Sequence, residues 1–92
     1  MRLQGKVAII AGAAWGGIGA ATALLFAQEG AKVVVNTRGR EKKLMETVER
    51  IQAIGGEVAW TMGDVADPAA WEAMVGAALE NFGKITTLVH NA

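Results

Sequence analysis

Apolar and polar positions along the chain fall into two alternating rhythms. Val7 to Ile10 is a continuous apolar run closed by Gly12, the pattern of a strand covered on both faces. From Ile18 to Gln28 the residues Ile18, Thr22, Leu25 and Phe26 recur at helical spacing, and Gly30 stands where a left-handed cap ends a helix. Lys32 to Asn36 is a second buried strand. Between Arg40 and Ile54 the positions Leu44, Val48, Ile51 and Ile54 form one apolar stripe opposite charged residues, and Gly55 and Gly56 stop it. Glu57 to Met62 predicts a third strand. Asp67 is then placed to cap a helix with Pro68 in its first turn, and that helix is expected to bury Trp71, Val75, Ala78 and Phe82. Gly83 closes it, and Ile85 to Val89 begins a fourth strand that runs into His90, Asn91 and Ala92. Strands alternating with helices of this length imply right-handed crossovers and a parallel sheet with helices on both faces, an α/β class.

Composition narrows what such a sheet could do. The 92 residues suit one small domain; they are 52% apolar and carry a formal net charge of zero, so no electrostatic footprint points to nucleic acid or to an anionic membrane. No run approaches the roughly 18 apolar residues of a membrane span. Arg2, Lys6 and the run from Val7 to Ala14 outline a short secretory leader, but Gly12 interrupts the apolar core and the strand-helix rhythm continues unbroken, so a cytoplasmic location is expected. The absence of cysteine fits a reducing compartment and removes thiolate metal sites, and no metal site is predicted.

The first strand ends in four glycines within eight residues, Gly12, Gly16, Gly17 and Gly19. Each costs conformational entropy on folding, so their clustering implies a sharp turn or a close approach. In a βαβ unit such a turn lets a phosphate reach the backbone and the positive end of the next helix. The alternative is a tight strand-to-helix joint with no ligand. The spacing G-x-G-x-x-G fails here, because Ala20, Ala21 and Thr22 follow Gly19.

The turn resembles instead the T-G-x-x-x-G-x-G of the short-chain dehydrogenase/reductase family, with Ala11 in place of the threonine and one extra residue, Trp15 or Gly16, before the triplet Gly17, Ile18, Gly19. Gly63, Asp64 and Val65 resemble the family's D-V pair after the third strand, and Leu88 to Ala92 (LVHNA) its N-N-A-G motif with His90 for the first asparagine. Each motif stands at the strand end where the family has it, and the likeness covers essentially the whole chain. It implies a Rossmann-type doubly wound parallel sheet of which these residues form the first half, strands in the order 3-2-1-4. Gly12, Gly17, Ile18 and Gly19 would line a pyrophosphate, and Trp15, in the lengthened loop, is counted with them as cofactor-binding. Asp64 and Val65 would flank the adenine, and Asn91 and Ala92 would approach the ribose.

At the end of the second strand Thr37 stands where NAD-preferring members carry aspartate, and Arg38 follows with a planar fork suited to a 2′-phosphate. Arg40, Lys42 and Lys43 add charge in a first helical turn, where cations oppose the helix dipole; the alternative is a solvated basic face. NADP(H) is therefore the favoured cofactor, with NAD(H) possible. His90 is read as a strand-end residue bonded to neighbouring backbone, and Trp60 and Trp71 as core.

The resemblance also implies hydride transfer between the nicotinamide and an alcohol or ketone, assisted by a serine, a tyrosine and a lysine that follow the N-N-A-G motif, and a homo-oligomer when full length. The 92 residues contain no serine and no tyrosine, so no catalytic residue is assigned within them. The expectation is the amino-terminal, cofactor-binding part of a longer enzyme or a truncated chain; the alternative is a non-catalytic dinucleotide-binding module for sensing or assembly.

Overall fold

The computed structural model describes residues 2–91. Seven elements follow one another: β1 (Val7–Ala11), α1 (Ile18–Gln28), β2 (Lys32–Thr37), α2 (Glu41–Ala53), β3 (Val58–Met62), α3 (Pro68–Phe82) and β4 (Thr87–His90). The strands form one wholly parallel sheet in the order β3-β2-β1-β4, the order the resemblance implies. In register, Ile9 stands beside Val34 on one side and Leu88 on the other.

Strand alternation divides the core in two. Ala8, Ile10, Val33 and Val35 face α1 and α2, where Leu44, Val48 and Ile51 meet them; Val7, Ile9, Ala11 and Val34 face α3, where Met74 and Ala78 meet them. Both faces of β1 and β2 are thus covered, which is why their sequences read as unbroken apolar runs.

The helices differ from the expected stripes in which residues they turn inward. α1 buries Gly19, Ala20, Ala23 and Ala27, all small, and leaves Ile18 and Leu25 exposed, so its backbone lies close to the sheet. α2 buries Leu44, Thr47, Val48 and Ile51, while Ile54, beyond the helix end, is exposed. α3 buries Ala70, Met74 and Ala78, leaving Trp71 and Phe82 half-buried and Val75 37% exposed. Trp60 is not core: β3 is an edge strand, and the indole is 46% exposed. β4 pairs later than Ile85 because Thr86 intervenes: its N–H donates to the Val7 carbonyl at 2.9 Å while its hydroxyl oxygen accepts from the Val7 N–H at 2.9 Å.

The ends of α3 follow the expected signals. Asp67 Oδ1 accepts from the Ala69 N–H at 3.0 Å with Pro68 in the first turn, and Gly83 closes the helix in the left-handed region at φ 78°. Asp67→Ala is expected to lower the free energy of unfolding by about 1 kcal/mol, whereas Asp67→Asn keeps the cap and changes it by a few tenths at most. Urea unfolding of the two variants side by side checks this; equal losses would remove the cap from the account.

Candidate functional site

The glycine turn leaves the carboxyl end of β1 at the centre of the sheet. The Gly12 and Ala13 N–H groups both donate to the Asn36 carbonyl, at 3.0 and 2.9 Å, so the turn begins by bonding to the end of β2. Gly12 and Gly16 have φ of 84° and 104°, conformations that side chains rarely adopt, which accounts for glycine at both. At Gly19 the need is space: an added Cβ would stand 2.0 Å from the Gly12 carbonyl oxygen and 3.2 Å from Asn91 Nδ2. Gly17, the cap of α1, offers no side chain to the first-turn amides, and that turn holds no acidic residue. The α1 amino terminus therefore presents uncapped N–H groups over a concave backbone, the arrangement that receives a phosphate.

Beside the turn, the ends of β2 and β3 enclose a cleft of about 310 Å³ lined by Gly12, Asn36, Thr37, Arg38, Gly63, Asp64 and Val65. Five of the sequence-predicted residues thus line one cavity: Gly12, Thr37, Arg38, Asp64 and Val65. Thr37 is buried, Arg38 is 78% exposed along its side chain, and Arg38 Nη1 meets Asp64 Oδ2 at 3.3 Å across the mouth. Asp64 Oδ1 accepts from the Ala66 N–H at 2.9 Å, which holds the carboxylate in its loop. Asn36, fully buried, donates through Nδ2 to the Thr61 carbonyl and hydroxyl at 3.2 and 3.0 Å and so ties β2 to β3 under the cleft; its Oδ1 has no partner among the described residues.

Asn91 continues past β4, its N–H donating to the Ala11 carbonyl at 3.0 Å, and its side chain lies beside Gly19. Ala92 lies outside the described residues. The His90 ring, expected against neighbouring backbone, instead meets the Trp71 ring edge-on at 5.4 Å, and Trp71 Nε1 donates to the Val65 carbonyl at 2.7 Å. Trp71 therefore joins the loop of Asp64 and Val65 to the end of β4.

Trp15, like Gly17, Ile18 and Gly19, is not among the residues that line the cleft. Its ring lies under the Arg50 guanidinium at 4.0 Å, and its N–H donates to the Lys43 carbonyl at 2.9 Å. Thr47, buried, donates its hydroxyl to the Ala13 carbonyl at 2.8 Å. Sequence reasoning missed Thr47 and Arg50 as parts of the turn; each acts from more than thirty residues away, and no local pattern marks them.

A larger hollow, about 400 Å³, opens at the opposite end of the strands between Gln28, Gly30, Gly55 and Glu57. The smaller cleft is the candidate site, because open parallel sheets bind ligands beyond the carboxyl ends of their strands; the strand order reverses beside it, between β1 and β4. Among the described residues no group of three or more His, Asp or Glu side chains could hold a metal, and no helix is long and apolar enough to cross a membrane.

Comparison with known proteins agrees with this geometry. The family described as short chain dehydrogenase matches residues 6–92. An uncharacterized oxidoreductase of Thermotoga maritima is 48% identical over 92 residues, all of this chain and 35% of that protein. The 2,5-dichloro-2,5-cyclohexadiene-1,4-diol dehydrogenase LinX of Sphingobium indicum is 46% identical over 91 residues, 99% of this chain and 36% of that protein. A solved short-chain dehydrogenase/reductase from Serratia marcescens superposes with a TM-score of 0.93 at 36% identity, over 100% of this chain and 37% of that one. The chain spans about a third of the length of these relatives.

Proposed function

Since the chain belongs to the short-chain dehydrogenase family, we propose that it forms the dinucleotide site of an NADP(H)-linked oxidoreductase acting on an alcohol or ketone. The oxidoreductase and dehydrogenase names of its relatives support the reaction class. The residues fit the cofactor: a cradle that a single Cβ at Gly19 would fill, an uncapped helix amino terminus, and a neighbouring cleft with a cation at its mouth. In this reading Gly12, Gly17, Ile18 and Gly19 receive the pyrophosphate, Asp64 and Val65 flank the adenine, and Asn91 lies toward the ribose beyond β4. When bound, the nicotinamide would supply or accept the hydride; the residues here bind and orient it.

The observation that carries the cofactor choice is the end of β2. Thr37 places no carboxylate there, and Arg38 opens onto the same cleft as Asp64 and Val65. An exposed ion pair such as Arg38 with Asp64 is worth about 0–1 kcal/mol. A 2′-phosphate offers the guanidinium two parallel charge-assisted bonds, which is stronger, so Arg38 would leave Asp64 for the phosphate. Arg38→Ala is accordingly expected to weaken NADPH binding by about 10- to 30-fold while leaving NADH within about twofold. Calorimetric titration of both nucleotides decides it: equal affinity of the unaltered protein for the two, or an Arg38→Ala variant that keeps NADPH, sinks the NADP(H) assignment. The second reading is a dinucleotide-binding role without catalysis. NADPH consumption with a panel of ketones separates the two.

A further inference from the structure

We propose that Trp15, with Thr47 and Arg50, holds the lengthened glycine turn in its pyrophosphate-receiving shape, so that Trp15 is a positioning residue lying outside the nucleotide site. The inference rests on the dinucleotide reading and deepens it. A turn with glycines at residues 12, 16 and 17 and one residue more than the family's spacing has many conformations open to it, and ordering it costs about 1–2 kcal/mol per residue unless contacts offset that cost. The contacts come from one face of α2. Lys43, Thr47 and Arg50 are spaced four and three residues apart, and each meets the turn: the Lys43 carbonyl accepts from the Trp15 N–H at 2.9 Å, the Thr47 hydroxyl donates to the Ala13 carbonyl at 2.8 Å, and the Arg50 guanidinium lies 4.0 Å over the indole. Arg50 also pairs through Nη2 with Glu46 Oε1 at 3.7 Å. The extra length of the turn is thus taken up against α2, and the Gly17 to Gly19 segment returns close enough for Gly19 to meet the Gly12 carbonyl.

This arrangement also joins the two phosphate-binding ends of the site. α2 begins at Glu41, three residues after Arg38, so the helix that pins the turn also follows directly on the residue assigned to the 2′-phosphate.

The test separates the two ends chemically. Adenosine 2′-monophosphate reaches only the Arg38 and Asp64 side, whereas NADP⁺ also needs the turn. Trp15→Ala is expected to weaken NADP⁺ by about fivefold, the value of one cation–π contact with its attendant ordering, and to leave adenosine 2′-monophosphate within twofold. Arg50→Ala is expected to move NADP⁺ in the same direction and by less, and Trp15→Phe, which keeps an aromatic face for Arg50, to recover most of the loss. Unaltered NADP⁺ affinity in Trp15→Ala, or equal loss of both nucleotides, overturns the proposal; should Trp15→Ala not fold, Arg50→Ala, at an exposed position, is titrated with the same two nucleotides and judged by the same outcomes. An unaltered protein that binds neither nucleotide overturns the dinucleotide reading itself, a result distinct from any change confined to the variants.

Discussion

Gly19→Ala is expected to lower the free energy of unfolding by about 3 kcal/mol or more in urea, and to abolish dinucleotide binding in whatever folded protein remains. The new methyl carbon would start 2.0 Å from the Gly12 carbonyl oxygen and 2.9 Å from its carbon, both backbone atoms that cannot rotate aside. Relief requires α1 to lift from the sheet or the turn to open. α1 cannot lift cheaply, because Ala20, Ala23 and Ala27 hold it close over β1 and β2 without a void to absorb the shift. The turn cannot open without losing its bonds to Asn36, Lys43 and Thr47. Alanine's better helix propensity, at most about 1 kcal/mol, opposes the loss and does not cancel it. Gly17→Ala is the matched control: its Cβ meets only the Ala14 carbonyl oxygen at 3.6 Å, an ordinary contact, so a change within about 0.5 kcal/mol is expected. If the two variants unfold alike, the close approach at Gly19 is not what holds the turn.

The second large effect is on the other face of the sheet. Met74 is the one large side chain that α3 buries completely; its buried neighbours on the helix are Ala70 and Ala78. Truncating it leaves a void against Val7, Ile9 and Val34 that small, strand-fixed neighbours cannot fill, so Met74→Ala is expected to cost about 3 kcal/mol. Val75→Ala, one position along and 37% exposed against none for Met74, is expected to cost less, about 1 kcal/mol. Urea midpoints for the pair read the rotational setting of the helix directly. Comparable losses at the two positions would mean that α3 turns a different face to the sheet.

That pair also marks where the sequence stops being legible. Element order, the parallel sheet and the placement of the glycine turn could be read because periodicity and glycine spacing are local signals. The rotational setting of α3 could be read only in part: of the expected Trp71, Val75, Ala78 and Phe82, Ala78 is buried and Trp71 and Phe82 pack partly against the core, but the fully buried line is completed by Ala70 and Met74 rather than Val75. A helix laid close on a sheet selects small residues at its contact line, as α1 does throughout. Trp60 misled for a related reason, since an apolar strand reads as buried whether or not a neighbour covers its flank. At the site, Thr37, Arg38, Asp64 and Val65 are named through their resemblance to family motifs at strand ends, and the structure gathers these four round one cleft. The pairing of Arg38 with Asp64, the tie from Trp71 to Val65 and the anchoring of Trp15 by Arg50 depend on which loops meet in space, and composition carries no trace of that.

The register of β1 with its two neighbours has a consequence for the order in which the sheet assembles. Pairing Val7 with Lys32 closes a segment of 25 residues, whereas the bonds between Val7 and Thr86 close one of 79. The longer closure is dearer by about 1 kcal/mol in chain entropy, and it is met by a strand of only four residues. On this term alone the β1-α1-β2 unit is expected to gather before β4 docks on β1. Of the two walls of the crevice where the strand order reverses, the glycine turn is thus expected to take shape before the residues around His90 and Asn91 join it.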